Sequence, residues 1–204
     1  MVVGYHVIFT AYGFWLPNDP RGSWSDFVGS WELFRFGPAT KTDERRSLAY
    51  DPHDYQKRLA AKKALQRPPV SFAEPQMQAI GKGFETYIKQ SGLVVWACAI
   101  MPEHVHMVLG RHRFEVEKVV IQLKGRSTEQ LVAEGLHPFQ PQAHESGPPR
   151  KCWARGEWKV FLNDEESIVR AIQYVEDNPI KEGRPRQHWR FVVPFHSIGT
   201  TTIV

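Results

Sequence analysis

Two histidines separated by one residue open the run His104-Val105-His106-Met107-Val108-Leu109, and their types and spacing could supply half of a metal site. An imidazole binds divalent ions through either ring nitrogen and exchanges a proton near neutral pH. The run alternates His104, His106 and Val108 against Val105, Met107 and Leu109, which is the period of two of a half-buried strand. Both imidazoles then project from one face while the aliphatic set enters the core from the other. At the strand rise their α-carbons stand roughly 6.5 to 7 Å apart, which lets two ring nitrogens converge on one ion. A surface strand turning two polar residues to solvent would give the same pattern. Two ligands are also too few, so a third has to come from elsewhere.

A second candidate set lies near the C-terminus. Ile168, Ile172 and Val175 recur at helical spacing, and Asn163 followed three residues later by Glu166 outlines a capping box. Asn178-Pro179 sets the expected end, because the residue before a proline avoids the helical region. Positions four apart lie one above the other on a helix, so Tyr174 and Asn178 share a face beside the apolar stripe. Asn178 offers a neutral oxygen ligand and Tyr174 a phenol that can act as a nucleophile. With a pKa near 10, only about one tyrosine in a thousand is ionised at neutral pH, so the phenol needs a neighbouring cation or base. An ion held by His104, His106 and Asn178 would supply it. Read alone, Asn178 is also an ordinary helix-terminating residue and Tyr174 an ordinary boundary residue of an amphipathic helix.

These residues need a scaffold, and the rest of the chain reads as one. Residues 4–12 are rich in aromatic and β-branched side chains and stop at Gly13, which predicts a central first strand. Pro and Gly then break the chain, and residues 17–74 read as an insertion packed on or beside the core, with a short helix over 54–65. Glu74-Pro75 opens a helix with Met77, Ile80, Phe84 and Ile88 on one face, ended by Ser91-Gly92. Residues 93–100 are apolar throughout, as in a strand at the centre of a sheet, and Met101-Pro102-Glu103 turns tightly into the His104 strand. A helix over 115–134 follows, with Val116, Val119, Val120, Leu123 and Leu131 inward and Lys118, Lys124 and Arg126 outward. Residues 135–150 read as a flexible loop, and 152–162 as one strand or two. This order predicts one α+β domain over 1–204: helices on one face of an antiparallel sheet, and the face with His104 and His106 open to a partner.

At 204 residues with 42% hydrophobic and 12% aromatic content, the chain can fill one real core with an elaboration. The formal net charge of +4 favours a polyanionic partner only weakly. Tryptophans interleaved with cations, as in Arg150-Lys151-Cys152-Trp153-Ala154-Arg155-Gly156-Glu157-Trp158-Lys159, sharpen this, because aromatic faces stack on unpaired bases while cations follow phosphates. A core tryptophan flanked by solvated charges would look the same. Cys98 and Cys152 have no paired spacing, which predicts neither a disulfide framework nor a cysteine zinc site and fits a reducing cytoplasm. No signal peptide and no apolar run of bilayer-spanning length is apparent, so no membrane association is expected.

Taken together, residues 101–107 and the later stretch Tyr174-Val175-Glu176-Asp177-Asn178-Pro179-Ile180-Lys181-Glu182-Gly183 resemble the single-tyrosine HUH transposases, and among them the REP-associated tyrosine transposases. The resemblance covers approximately residues 4–14 and 75–195 and leaves 17–74 unexplained. It implies a ferredoxin-like or RRM-like sandwich with an insertion after the first strand. It further implies that His104, His106 and Asn178 bind Mg2+ or Mn2+ and that Tyr174 attacks single-stranded DNA. Cleavage and strand transfer would then proceed through a 5′-phosphotyrosine at hairpin-forming repeat or transposon ends. Single-stranded or hairpin DNA is the expected partner of a monomer or homodimer. Lys124, Arg126, Arg155 and Lys159 are candidates for backbone contacts, and Trp153 or Trp158 for stacking on bases. Two other readings stay open: a domesticated hairpin-binding protein that does not cut, and a metal-dependent hydrolase of another phosphoester.

Overall fold

The computed structural model describes residues 1–14, 16, 33, 35–36, 54–139, 147 and 149–196. Most of the expected insertion up to residue 53, and residues 140–146 and 148 of the expected loop, lie outside them. Strand β1, Gly4–Thr10, turns Val7 and Phe9 into one core and His6, Ile8 and Thr10 to the opposite face. It pairs antiparallel with β3, His104–Gly110, on one side and with β4, Trp158–Leu162, on the other, while β2, Val95–Ile100, pairs with the far side of β3. The sheet order is β2-β3-β1-β4, so the aromatic and β-branched first strand is central, as its composition predicts. Strand β2, expected at the centre, is instead an edge strand: it is apolar throughout because Val95, Cys98 and Ile100 enter one core and Ala97 and Ala99 the other. The register sets Thr10 opposite His104 and Ile8 opposite His106.

The helices are α1, Tyr55–Lys63, α2, Glu74–Ser91, α3, Val116–Ala133, and α4, Glu165–Lys181. Helix α1 lies within the expected 54–65 and is capped by the Asp54 carboxylate, which accepts from the Lys57 amide at 2.9 Å. Helix α2 starts with Pro75 in its first turn and ends at Gly92, whose φ of 70° is the left-handed conformation that glycine adopts without a steric cost. It packs closely on α3 because Gly83 has no side chain: a Cβ there would stand 2.6 Å from the Arg126 carbonyl oxygen and from the Ser127 α-carbon. Met77, Ile80 and Phe84 with Val120, Leu123 and Leu131 close the main core over Val7, Phe9, Val105, Met107 and Leu109. Each such fully buried side chain contributes roughly 1.5–3 kcal/mol.

Helix α4 departs from the expected arrangement. Two helices cover one face, but α4 packs on the other, the face carrying the histidines, which is therefore only partly open. A second core forms there from Ile168, Ala171 and Val175 against Ala97, Ala99, Met101, Val108 and Leu162. The apolar stripe of α4 needs cover, and Ala97 and Ala99 are small enough to let the helix approach the sheet. Its N-cap is Asp164, not Asn163: the Asp164 carboxylate accepts from the Ser167 amide at 2.7 Å. Its end is also later than Asn178-Pro179, since the helix runs through Pro179 to Lys181. Arg184 N–H donates to the Pro179 carbonyl at 2.8 Å and Gly183 N–H, at φ 71°, to that of Ile180 at 2.9 Å. This Schellman closure satisfies the last carbonyls and holds the proline inside the final turn.

The segment after α4 returns to the outer edge of β2. Gln187 donates its side-chain amide to the Ile100 carbonyl and accepts from the Ile100 N–H, both at 2.8 Å, and Val193 N–H donates to the Val95 carbonyl at 2.9 Å. Cys98 and Cys152 are buried and free. No helix among the described residues is long and apolar enough to cross a membrane.

Candidate active site

Strand β3 delivers the two histidines as its alternation predicts, with Val105, Met107 and Leu109 in the main core and His104 and His106 on the opposite face. Their rings stand 4.9 Å apart, centroid to centroid, and nearly perpendicular. Phe14 stacks on His104 at 5.3 Å and closes one side. Helix α4 brings Tyr174 and Asn178 to the same place within one chain. The Tyr174 ring lies 5.6 Å from that of His106 and is 45% exposed, whereas Asn178 is buried with its amide nitrogen 3.4 Å from His106 Nε2. The face shared by positions four apart thus points one residue at the boundary and one inside.

Sequence reasoning missed three members of this site. His6, on central β1, has Nε2 3.2 Å from His106 Nδ1, and its ring is flanked by Tyr174 at 5.7 Å and Trp158 at 5.6 Å. The available signal was an ionisable residue inside a strand read as central. Lys181, one turn beyond Asn178, places its ammonium 4.8 Å from the Tyr174 ring centre. The third is Phe14, from the loop after β1.

The electrostatics follow from burial. Desolvation pushes the His6 imidazole down to about 4. Desolvation, then the charges of His104, His6 and Lys181, hold His106 well below the usual histidine range. Both rings are therefore neutral at pH 7, the form that ligates metal. Burial, and then the Glu182 carboxylate, push the Tyr174 phenol above its ordinary value, so it stays protonated unless a cation intervenes.

Two imidazoles and an amide converge here. Rotating the Asn178 amide by a half turn presents its oxygen where the nitrogen stands, 3.4 Å from His106 Nε2. Atoms each bonded to one ion lie about 3 Å apart, given metal–ligand bonds near 2.1 Å. The donor set therefore fits a divalent ion that takes nitrogen and oxygen ligands. Among the described residues no group of three or more His, Cys, Asp and Glu is arranged to hold one.

The expected nucleic-acid contacts divide by face. Trp158 borders the site through its edge contact with His6. Arg155 is exposed on the approach to β4. Trp153 is instead a core residue, 7% exposed, packed on Phe9 and Phe72 with its N–H donated to Ser127 Oγ at 3.1 Å. Lys124 is turned under the loop before β4, donating to the carbonyls of Ala154 and Gly156 at 3.0 and 2.5 Å. Arg126 pairs with Glu129 on α3, and Lys159 pairs with Glu117, both on the side of the sheet away from the histidines.

No curated protein matches the chain. Among solved structures, the fold is similar to a REP-associated tyrosine transposase bound to a REP hairpin, with 12% identity, a TM-score of 0.48 and coverage of 93% of this chain and 74% of that one. It is also similar to a putative transposase from Deinococcus radiodurans, with 17% identity, a TM-score of 0.37 and coverage of 87% and 91%. The family model described as "Transposase IS200 like" matches residues 66–178, more than half of the chain and a stretch that includes His104, His106, Tyr174 and Asn178, so the chain belongs to the IS200-like transposase family.

Proposed function

We propose that this transposase cleaves and rejoins single-stranded DNA through a covalent tyrosine intermediate. The observation that carries the proposal is the convergence of His104, His106, Asn178 and Tyr174 in one chain, with the Tyr174 ring 5.6 Å from His106 and the Asn178 amide 3.4 Å from the same imidazole. His104, His106 and Asn178 would hold Mg2+ or Mn2+, which polarises the scissile phosphate and stabilises charge on the departing oxygen. The Tyr174 oxygen attacks phosphorus in line. The P–O3′ bond breaks, the 3′ oxygen leaves as a hydroxyl, and the phenolic proton passes to solvent or a neighbouring base. One phosphodiester is exchanged for another, so a second 3′ hydroxyl can run the step backwards and join strands without ATP. Lys181, whose ammonium lies 4.8 Å from the Tyr174 ring centre, would supply positive charge to a phosphate approaching that phenol. Trp158 offers a face for a neighbouring base. Hairpin-forming repeat or transposon ends are the target class that the sequence resemblance implies.

The test is incubation of labelled single-stranded hairpin DNA with the protein and Mn2+, followed by denaturing electrophoresis. A metal-dependent covalent adduct is expected with the wild type and none with Tyr174→Phe. An adduct that persists in the variant would falsify the nucleophile assignment, and turnover without any adduct would favour an ordinary phosphoester hydrolase.

A further inference from the structure

His6 lies outside the stretch that the family model matches, yet its Nε2 meets Nδ1 on the back of His106. The two nitrogens are 3.2 Å apart in a buried setting, so one carries the proton and the other accepts it. The opposite side of His106 decides which. Unrotated, Asn178 Nδ2 stands 3.4 Å from His106 Nε2 and donates, so Nε2 is the acceptor and carries a lone pair; with the amide rotated to give its oxygen to an ion, Nε2 needs the same lone pair to bind that ion. A neutral imidazole with a lone pair on Nε2 bears its proton on Nδ1. That proton points at His6 Nε2, which must then accept.

The His6 ring is placed to do this and little else. It is 7% exposed, its plane is fixed between Trp158 and Tyr174, and its strand is hydrogen-bonded on both sides at the centre of the sheet. Resting on the metal reading proposed above, we infer that His6 is a positioning residue: it accepts the His106 Nδ1 proton and so holds the tautomer whose Nε2 lone pair faces Asn178 and the ion. Without it, His106 can protonate at Nε2 instead, and the ligand atom is lost without any change in the ligand set. A partner of this kind on the distal nitrogen of a metal-binding histidine fixes ring orientation and raises ligand basicity.

Two measurements test this. In the metal-free wild type, long-range proton–nitrogen NMR of the imidazoles reads each tautomer directly. His106 protonated at Nδ1 and bare at Nε2 is expected, and the reverse overturns the assignment. Binding of Mn2+, followed by calorimetry, should weaken about 10- to 100-fold in His6→Phe, which keeps an aromatic ring but accepts nothing. It should recover most of the way in His6→Gln, whose amide oxygen reaches the position of Nε2. Thermal unfolding of both variants separates this effect from loss of fold. Unchanged Mn2+ affinity in a folded His6→Phe, or equal losses in both variants, overturns the inference. A wild type that binds no Mn2+ would overturn the metal reading instead, and the tautomer spectrum would still decide the hydrogen bond between the two histidines.

Discussion

Two tryptophans five residues apart have opposite fates, and the difference lies in which face of the sheet each meets. Trp158 sits opposite Ile8 on the face of His6, while Trp153 bridges to Ala11 and enters the main core. Trp158→Ala should therefore weaken single-stranded DNA binding by about 1–3 kcal/mol, read by fluorescence anisotropy, at little cost in stability. Trp153→Ala should cost about 3–5 kcal/mol of folding stability, read by denaturant unfolding, because it leaves a cavity and removes the N–H donated to the Ser127 hydroxyl. Lys124 behaves like Trp153. Burial lowers its ammonium to about 8, against the raising effect of Glu157, so below pH 8 the fold bears the cost of a buried charge. Between pH 8 and the ordinary lysine value the unfolded chain binds more protons than the native one, and stability contributed by this site rises with pH. The unfolding free energy of wild type relative to Lys124→Met should be flat below pH 8 and climb by up to about 3 kcal/mol towards pH 10.5. At this scale the sequence disclosed His104, His106, Tyr174 and Asn178 because each has a partner at a regular spacing. It hid His6, whose partner is 100 positions away, and it could not sort the tryptophans, whose sorting depends on register.

Elements were legible where their interiors carry a pattern and less so at their ends. The alternation of β3 and the stripe of α2 appear in the structure much as written, with Gly92 stopping the helix where it was expected to. Both ends of α4 moved. Asp164 outcompetes Asn163 because its carboxylate faces the Ser167 amide, and Pro179 is tolerated because it falls in the last turn, where Gly183 and Arg184 close the chain. Asp164→Ala should cost about 1 kcal/mol, lowering the melting temperature by about 2–4 °C in a chain of this size. A one-residue error at the end of α4 would matter more than its energy suggests, since Asn178 has to be helical to face inwards beneath Tyr174.

For the whole molecule, the sandwich class was readable from the order of elements, but the side on which α4 docks was not. A single apolar stripe states that a helix needs cover without stating which sheet face supplies it. The outcome is two cores separated by one sheet, a large one under α2 and α3 and a small one under α4. The small core is the only apolar cover α4 has among the described residues, so it can open while the larger one stays closed. Amides of α4 should exchange with deuterium faster than those of β3 and β1, measured residue by residue in metal-free protein, and on the metal site proposed above the gap should narrow on addition of Mn2+, which would tie His106 to Asn178. Uniform protection across both cores would count against that separation.

The Gln187 side chain deserves a wider reading. One amide group stands in for a missing strand residue, meeting both backbone groups of Ile100 on the edge of the sheet. An open edge is where a second copy of a chain, or any extended peptide, can add itself by main-chain pairing. With that position filled from within and Val193 bonded to Val95 further along, the chain's own C-terminal segment occupies backbone groups at both ends of β2 that an added strand would need.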